Sequence, residues 1–383
     1  MEKLEIIGGK KLQGSINISG SKNASLPILA ATILVNKVTL NNIPQVKDID
    51  TMIELLTSLG SKIYINKNKK KIKIHNYKSN KKVAKYKYVK TMRAGILVLG
   101  SLLSKFGKAK VSLPGGCAIG LRPVNLHIEA LKKMGAKIKI IEGYIYATTN
   151  NGLKGAKISF PKVSVGATEN LIIAACKAKG RTILSNCAIE PEVKDLSNFL
   201  IKLGCKIKWL GKRKVQIDGV KNLKDINYNI MFDRIEAVTY MIAAAATNGR
   251  VSIKNIQPKI IDKEILLLKK IGVKIIEKKN KITIISSRSL KGINIKTSPY
   301  PGFPTDLQAQ LMVLMCKAKN QSIIRENIFE NRFMHVSELN RMGADIIVKG
   351  RKAIINGNKK LNGAQLMATD LRASVSLVIA ALI

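Results

Sequence analysis

Cys117 stands between Pro114-Gly115-Gly116 and Gly120-Leu121-Arg122, in the stretch VSLPGGCAIGLRPVNLHIEAL at 111–131. A thiol reacts as the thiolate, and neighbouring cations lower its pKa. Proline and glycines so arranged have no core-strand pattern, so the thiol is expected to be accessible, with Arg122 and nearby lysines making it reactive. His127 is close in sequence, and a Cys–His hydrolase is the rival reading. A second candidate is Asp306 in SPYPGFPTDLQAQ at 298–310, after Pro299, Pro301 and Pro304. It reads either as an acid capping the next helix or as a general base held on a rigid turn. In ISGSKNASLP, Gly20 and Ser21 precede a helix whose first turn carries Lys22 and Asn23. Free amides with an ammonium group make an anion site there; a serine cap with a surface lysine is the simpler account. KTMRAG and GLRPVNLH set Arg93 and Arg122 at helix starts, where the dipole disfavours a cation unless an anion lies near.

The arginines are informative because they are scarce. Only 12 of the 67 basic residues are Arg, so each marks a place where a planar fork does what an ammonium group does not. Arg93, Arg122, Arg332 and Arg372 all lie in motifs of this kind. The net charge of +43 would ordinarily suggest nucleic acid. The lysines, however, run along the whole chain, and aromatics are 4%, too few for base-stacking platforms. The densest run, 67–90, alternates Lys with Ile and reads as a solvated hairpin with one buried face. No specific nucleic-acid partner is expected.

The elements that hold these residues repeat. An amphipathic helix ending in Gly recurs as LTSLGSKI, LKKMGAKI, LIKLGCKI, LKKIGVKI and LNRMGADI, roughly every 70 residues. Gly60, Gly135, Gly204, Gly272 and Gly343 are each placed to end a helix in the left-handed conformation. Upstream of each lies a polar start and an Ala-rich apolar helix. Five units are complete, and a sixth opens at TDLRASVSLVIAALI and is cut short. Six units group as three plus three. We therefore expect an α/β chain of two domains: 1–20 with 231–383, and 21–230 carrying the Cys117 loop, with a small-molecule site in the cleft. The stretch before the first helix would pair with the second half. Five cysteines, odd in number and without a Cys-x-x-Cys pair, argue against a disulfide framework or zinc. The four other than Cys117 are expected on helices or strands as buried structural thiols. The charged start, MEKLEIIGGK, has no signal-peptide core, and no apolar stretch is long enough to span a bilayer. A cytoplasmic protein without a membrane partner is expected.

SGSKNASLPIL, KTMRAGI, VSLPGGCAIGLRPVNLHIEAL, VSVGATEN, PGFPTDLQAQ, FENRFMHVSELNRMGA and LNGAQLMATDLRAS occur in that order. Together they closely resemble the UDP-N-acetylglucosamine 1-carboxyvinyltransferase family of enolpyruvyl transferases, from Leu4 to the last residue. The resemblance implies a two-domain inside-out α/β barrel of six βαβαββ repeats, the sixth truncated here. It implies transfer of the enolpyruvyl group of phosphoenolpyruvate to the 3-hydroxyl of UDP-N-acetylglucosamine, with loss of phosphate, as the first committed step of peptidoglycan synthesis. It implies no metal and no organic cofactor. By the same resemblance Cys117 is the general acid and Asp306 the base near the acceptor hydroxyl. Lys22, Arg122 and Arg372 bind the donor's anionic groups. Asn23, Arg93, Arg122, Pro123, Val124, Asn125, Leu126, Lys162, Val163, Ser164, Val165, Asp306 and Ile328 line the nucleotide sugar. The Cys117 loop would be a lid that closes when the sugar binds.

Two departures from the family are visible. Asn125 stands where relatives commonly carry Asp, and the sixth repeat lacks its later part, which in relatives brings a further donor-binding arginine. A truncated, non-catalytic remnant that still binds UDP-N-acetylglucosamine is the alternative, and the oligomeric state is open. An accessible thiolate at 117 predicts alkylation by the epoxide antibiotic fosfomycin. Mass spectrometry of the digested, drug-treated protein is expected to find the adduct on the Cys117 peptide; its absence there would count against the reactive-loop reading.

Overall fold

Three helices of the chain are buried along most of their length. The segment Lys22–Ala31 is buried from Ala24 to Ala31, Val165–Ala175 from Ala167 to Ala175, and Val98–Phe106 from Val98 to Leu103. The computed structural model describes residues 3–68, 70–77, 80–115, 123–285, 289–368 and 370–383. It falls into two compact units. One contains the described residues between Ser19 and Phe232; the other joins the segment up to Ile18 to Asp233–Ile383.

The larger unit carries three four-stranded sheets of one strand order. In each, a first strand runs parallel to a second, which is antiparallel to a third, which is antiparallel to a fourth. These are Ile226–Asn229, Lys37–Asn41, Lys71–His75 and Lys62–Asn66; then Val83–Ala84, Lys108–Ser112, Tyr144–Thr148 and Lys137–Ile141; then Lys157–Ser159, Arg181–Ser185, Lys214–Asp218 and Lys206–Trp209. The smaller unit has two sheets of the same pattern. One is Gln13–Asn17, Arg250–Lys254, Lys281–Ile285 and Lys274–Lys278. The other is Asn294–Lys296, Ser322–Arg325, Lys352–Asn356 and Asp345–Lys349. The fourth strands are largely exposed while the middle strands alternate, as in Lys71–His75, where Ile72 and Ile74 are buried. Sheets with one wet face must alternate in this way. The connections are amphipathic helices such as Lys47–Ser58 and Pro191–Leu203.

Helices of the larger unit are tied to one another by groups that meet buried carbonyls. Ser101 Oγ donates to Ala30 O at 2.8 Å, Ser104 Oγ to Ala174 O at 3.1 Å and Lys105 Nζ to Ile33 O at 2.7 Å. In the smaller unit Lys317 Nζ donates to Ala246 O at 2.7 Å, at the end of helix Arg234–Ala246. Gly60, Gly135, Gly204, Gly272 and Gly343 all have positive φ, between 89° and 108°, as helix-ending residues. Among the described residues no helix is long and apolar enough to cross a membrane.

Two expectations need correction. Of the 67–90 run, the hairpin takes its turn and the strand Lys71–His75, paired with Lys62–Asn66; the chain goes on into Val83–Ala84, a strand of another sheet, and helix Tyr86–Val89. Lys–Ile alternation marks a strand but says nothing about where the next sheet begins. Cys176, Cys187, Cys205 and Cys316 are buried, yet Cys187 and Cys205 lie in connections. Burial pushes the thiols of Cys187 and Cys316 up to about 12, the property of inert structural thiols.

Burial also acts on two imidazoles. His127, in helix Asn125–Lys133, and His335, which opens helix His335–Arg341, are each pushed down to about 4. Beside His127 the Arg93 guanidinium adds to the effect; around His335, Asp370 opposes burial while Arg332 adds to it. A base whose folded pKa is depressed stabilises the fold above its unfolded value, and that stability is lost as pH falls from about 6.5 toward 4. Each histidine accounts for roughly 3 kcal/mol at full protonation. Asp195, pushed up to about 6 by burial, works in the opposite sense. The expected result is therefore a difference: between pH 7 and 4, chemical denaturation should show the wild type losing stability more steeply than His127→Gln. Parallel curves would contradict the assignment.

Candidate functional site

Ser21 caps the helix Lys22–Ala31, its side chain accepting the Ala24 amide at 3.2 Å. Its own amide donates to Met231 O at 2.8 Å, and Gly20 bridges to Phe232. A Cβ on Gly20 would collide with the Asn42 carbonyl, so only glycine allows this approach. The helix start is thus pinned, with Lys22 and Asn23 half-buried on its first turn. Lys22 Nζ meets Asp48 Oδ2 at 2.8 Å, in the first turn of Lys47–Ser58.

Beside this lies a polar knot inside the core. Asn170, fully buried on helix Val165–Ala175, accepts the Gly100 amide on Oδ1 at 2.8 Å. Its Nδ2 reaches Ile96 O at 3.3 Å and His127 Nδ1 at 2.9 Å. With Asn170 donating, His127 is assigned as the tautomer protonated on Nε2. A Cβ on Gly100 would fall on Asn170 Oδ1. One amide therefore couples three elements that carry sequence candidates. The 3₁₀ turn Arg93–Leu97 opens with a half-buried Arg93. The helix Asn125–Lys133 follows Pro123 and Val124 and has Asn125 exposed and Leu126 half-buried. The helix Val165–Ala175 is capped by Ser164, whose side chain accepts the Ala167 amide at 3.3 Å, with Lys162 and Val165 exposed and Val163 half-buried. Cys117 and Arg122 lie outside the described residues.

The second unit assembles a charge cluster of its own. Asp306 sits in the 3₁₀ turn Thr305–Leu307. The reading of it as a helix cap is not what the geometry gives: the helix Gln308–Cys316 has Leu307 at its N-cap with no side-chain bond. The carboxylate instead meets two guanidinium groups, Arg332 Nη2 on Oδ1 at 2.9 Å and Arg372 Nη2 on Oδ2 at 3.2 Å. Arg332 is buried and Arg372 half-buried. Arg372 is placed by Asp370, which caps helix Leu371–Leu382 by accepting the Arg372 and Ala373 amides at 2.8 and 3.2 Å. Ile328 is half-buried, its amide donating to Glu326 Oε1 at 2.8 Å. Within each unit, then, cations sit at helix starts next to carboxylates, an arrangement suited to binding a multiply charged anion.

Sequence reasoning did not single out Asp48, Asn170 or Glu326. Asn170 had a signal, a carboxamide within the apolar run NLIIAA. Asp48 and Glu326 had none, since their partners lie in other elements.

Against known proteins, residues 6–383 match the family described as EPSP synthase (3-phosphoshikimate 1-carboxyvinyltransferase). A UDP-N-acetylglucosamine 1-carboxyvinyltransferase of Pelagibacter ubique is 67% identical over 383 residues, all of this chain and 91% of the relative. Proteins of the same name from Geotalea uraniireducens and Rickettsia prowazekii are 53% and 52% identical, again over the whole chain and 91% and 92% of the relatives. Among solved structures, the enolpyruvyl transferase NikO of Streptomyces tendae superposes with a TM-score of 0.88 at 21% identity, covering 98% of this chain and 90% of that one. EPSP synthase of Acinetobacter baumannii gives 0.72 at 20% identity, covering 98% and 91%. These two speak for the α/β fold alone. The full-length identities reach further than shared architecture: the chain belongs to the UDP-N-acetylglucosamine 1-carboxyvinyltransferase family.

Proposed function

We propose that this protein transfers the enolpyruvyl group of phosphoenolpyruvate to the 3-hydroxyl of UDP-N-acetylglucosamine, releasing phosphate, as the committed step of peptidoglycan synthesis. The observation that carries the reading is 67% identity across all 383 residues with the Pelagibacter ubique protein of that name. We read the five sheets as five copies of one βαβαββ unit, with helix Leu371–Leu382 opening a sixth. The odd cysteine count, without a Cys-x-x-Cys pair, supports a cytoplasmic setting.

In the proposed reaction Cys117 gives a proton to the CH2 carbon of the donor, and the adjacent carbon becomes electrophilic. The sugar's 3-hydroxyl adds there and its proton passes to Asp306. The tetrahedral ketal phosphate then returns a proton from the new methyl group to the Cys117 thiolate and expels phosphate, so the enol ether is restored on the sugar. Lys22, Arg122 and Arg372 hold the phosphate and carboxylate of the donor. Asn23, Arg93, 122–126, 162–165 and Ile328 line the nucleotide sugar. The geometry supports a role by exchange: Lys22 rests on Asp48 and Arg372 on Asp306. An anionic donor competes with Asp48 for Lys22 and with Asp306 for Arg372, so its binding loosens the ion pairs that hold both cations and the base. Asn23 and Ser164 at helix starts offer amides to the diphosphate.

Purified protein is expected to release phosphate from phosphoenolpyruvate only with UDP-N-acetylglucosamine present. Cys117→Ala and Asp306→Asn should each lower kcat by on the order of 10²–10⁴-fold. Release that depends on shikimate 3-phosphate instead would move the chain to the other acceptor. Binding of the sugar nucleotide with no turnover would return it to a non-catalytic binder.

A further inference from the structure

Glu326 is 1% exposed and follows directly on strand Ser322–Arg325. Its Oε1 accepts from Thr297 Oγ1 at 2.9 Å, the Ile328 amide at 2.8 Å and the Phe329 amide at 3.1 Å. Its Oε2 accepts from Thr305 Oγ1 at 2.9 Å. The Thr297 hydroxyl itself accepts the Asn327 amide at 2.9 Å, which turns its proton toward Glu326. All four partners donate, and a buried carboxylate is tolerated only when its lone pairs are met in this way. One side chain therefore ties three pieces of backbone together: the strand end at Thr297, the turn Thr305–Leu307 that carries Asp306, and the segment containing Ile328.

The chemistry of the site gives this tie its meaning. A hydroxyl proton moves to a carboxylate only over hydrogen-bond distance. Asp306 must therefore stand at a fixed place relative to the sugar that Ile328 lines. Arg332 and Arg372 hold the tip of Asp306, and Gln310 Nε2 donates to its carbonyl at 3.0 Å, which ties the turn to the helix that follows but not to the segment of Ile328. Glu326 holds the residue before Asp306 with one oxygen and Ile328 with the other. We propose that Glu326 is a positioning residue for the transfer reaction, setting the distance between the base Asp306 and the acceptor sugar. The inference rests on the reading given under the proposed function.

Phosphate release by the full chain, with kcat and KM measured for both substrates, tests it on Glu326→Ala, Glu326→Gln and Thr305→Val. Thr305→Val removes only the bond to the Asp306 turn and should lower kcat roughly tenfold, leaving the KM for UDP-N-acetylglucosamine unchanged. Glu326→Ala frees both segments; it should lower kcat and raise that KM, together on the order of 10²-fold in kcat/KM, with the KM for phosphoenolpyruvate unmoved. Glu326→Gln keeps an acceptor for the Ile328 and Phe329 amides and should recover the KM but not all of kcat. Variants with wild-type kcat and KM whose only defect is a lower Tm overturn the inference, as does an unaltered kcat in Thr305→Val, which decides the matter alone if Glu326→Ala does not fold. A wild-type chain that turns over beside unaffected variants sinks this inference only; a wild-type chain that releases no phosphate sinks the functional reading and this inference with it.

Discussion

A helix buried on every side must find partners for its last carbonyl groups inside the protein, because no water reaches them. That constraint shapes both units. Leu29 O is met by the Thr32 hydroxyl and Ala30 O by Ser101; Ile33 O, in the turn that follows, is met by the ammonium of Lys105. Ala174 O is met by Ser104, and Ala246 O by Lys317. Burial draws Lys105 down to about 8 and lowers Lys317 as well, so the fold accepts an unfavourable setting for two cations in order to close those ends. A cation at a helix C-terminus also answers the negative end of the dipole.

With the C-terminal ends closed from within, the opposite ends are left for chemistry. Lys22, Arg93, Asn125, Val165, Asp306 and Arg372 all stand in the first turn of a helix or 3₁₀ segment, or open one outright. Each such end brings the positive end of a dipole, a field favourable to phosphate and carboxylate groups. The caps that remain to be filled are filled by short polar side chains, Ser21, Ser164 and Asp370, which fix direction without adding bulk.

What could be read from the sequence was local. The helix-ending glycines announced themselves because only a residue without Cβ sits easily at their φ, and Lys–Ile alternation announced strands with one wet face. Arg332 and Arg372 stood out against a background of lysine. The partners of those residues did not. Lys22 meets Asp48 and Asp306 meets Arg332 across elements, and Glu326 looks like any surface acid until its four donors are seen around it. Asp306 was open to a capping role because an acid after proline usually serves as one; here the turn tightens to 3₁₀ and aims the carboxylate at guanidinium groups instead. Cys187 and Cys205 were misplaced because thiols mark burial, not the regular structure around it.

The pairing of Gln13–Asn17 with Arg250–Lys254 has a consequence for how the chain is made. Asn255 Nδ2 also reaches back to Ile18 O, 237 residues away. At about 5–20 residues per second of synthesis, that first strand waits tens of seconds for its neighbour to emerge from the ribosome. The unit between Ser19 and Phe232 has all its own strands by then and can settle first. In the interval the waiting strand is an open edge, the kind of surface that captures wrong partners. Its composition suits the delay: GGKKLQGSIN carries two lysines, three glycines and few large apolar groups, a stretch poor at nucleating aggregation and able to join a sheet whose other strands arrive much later.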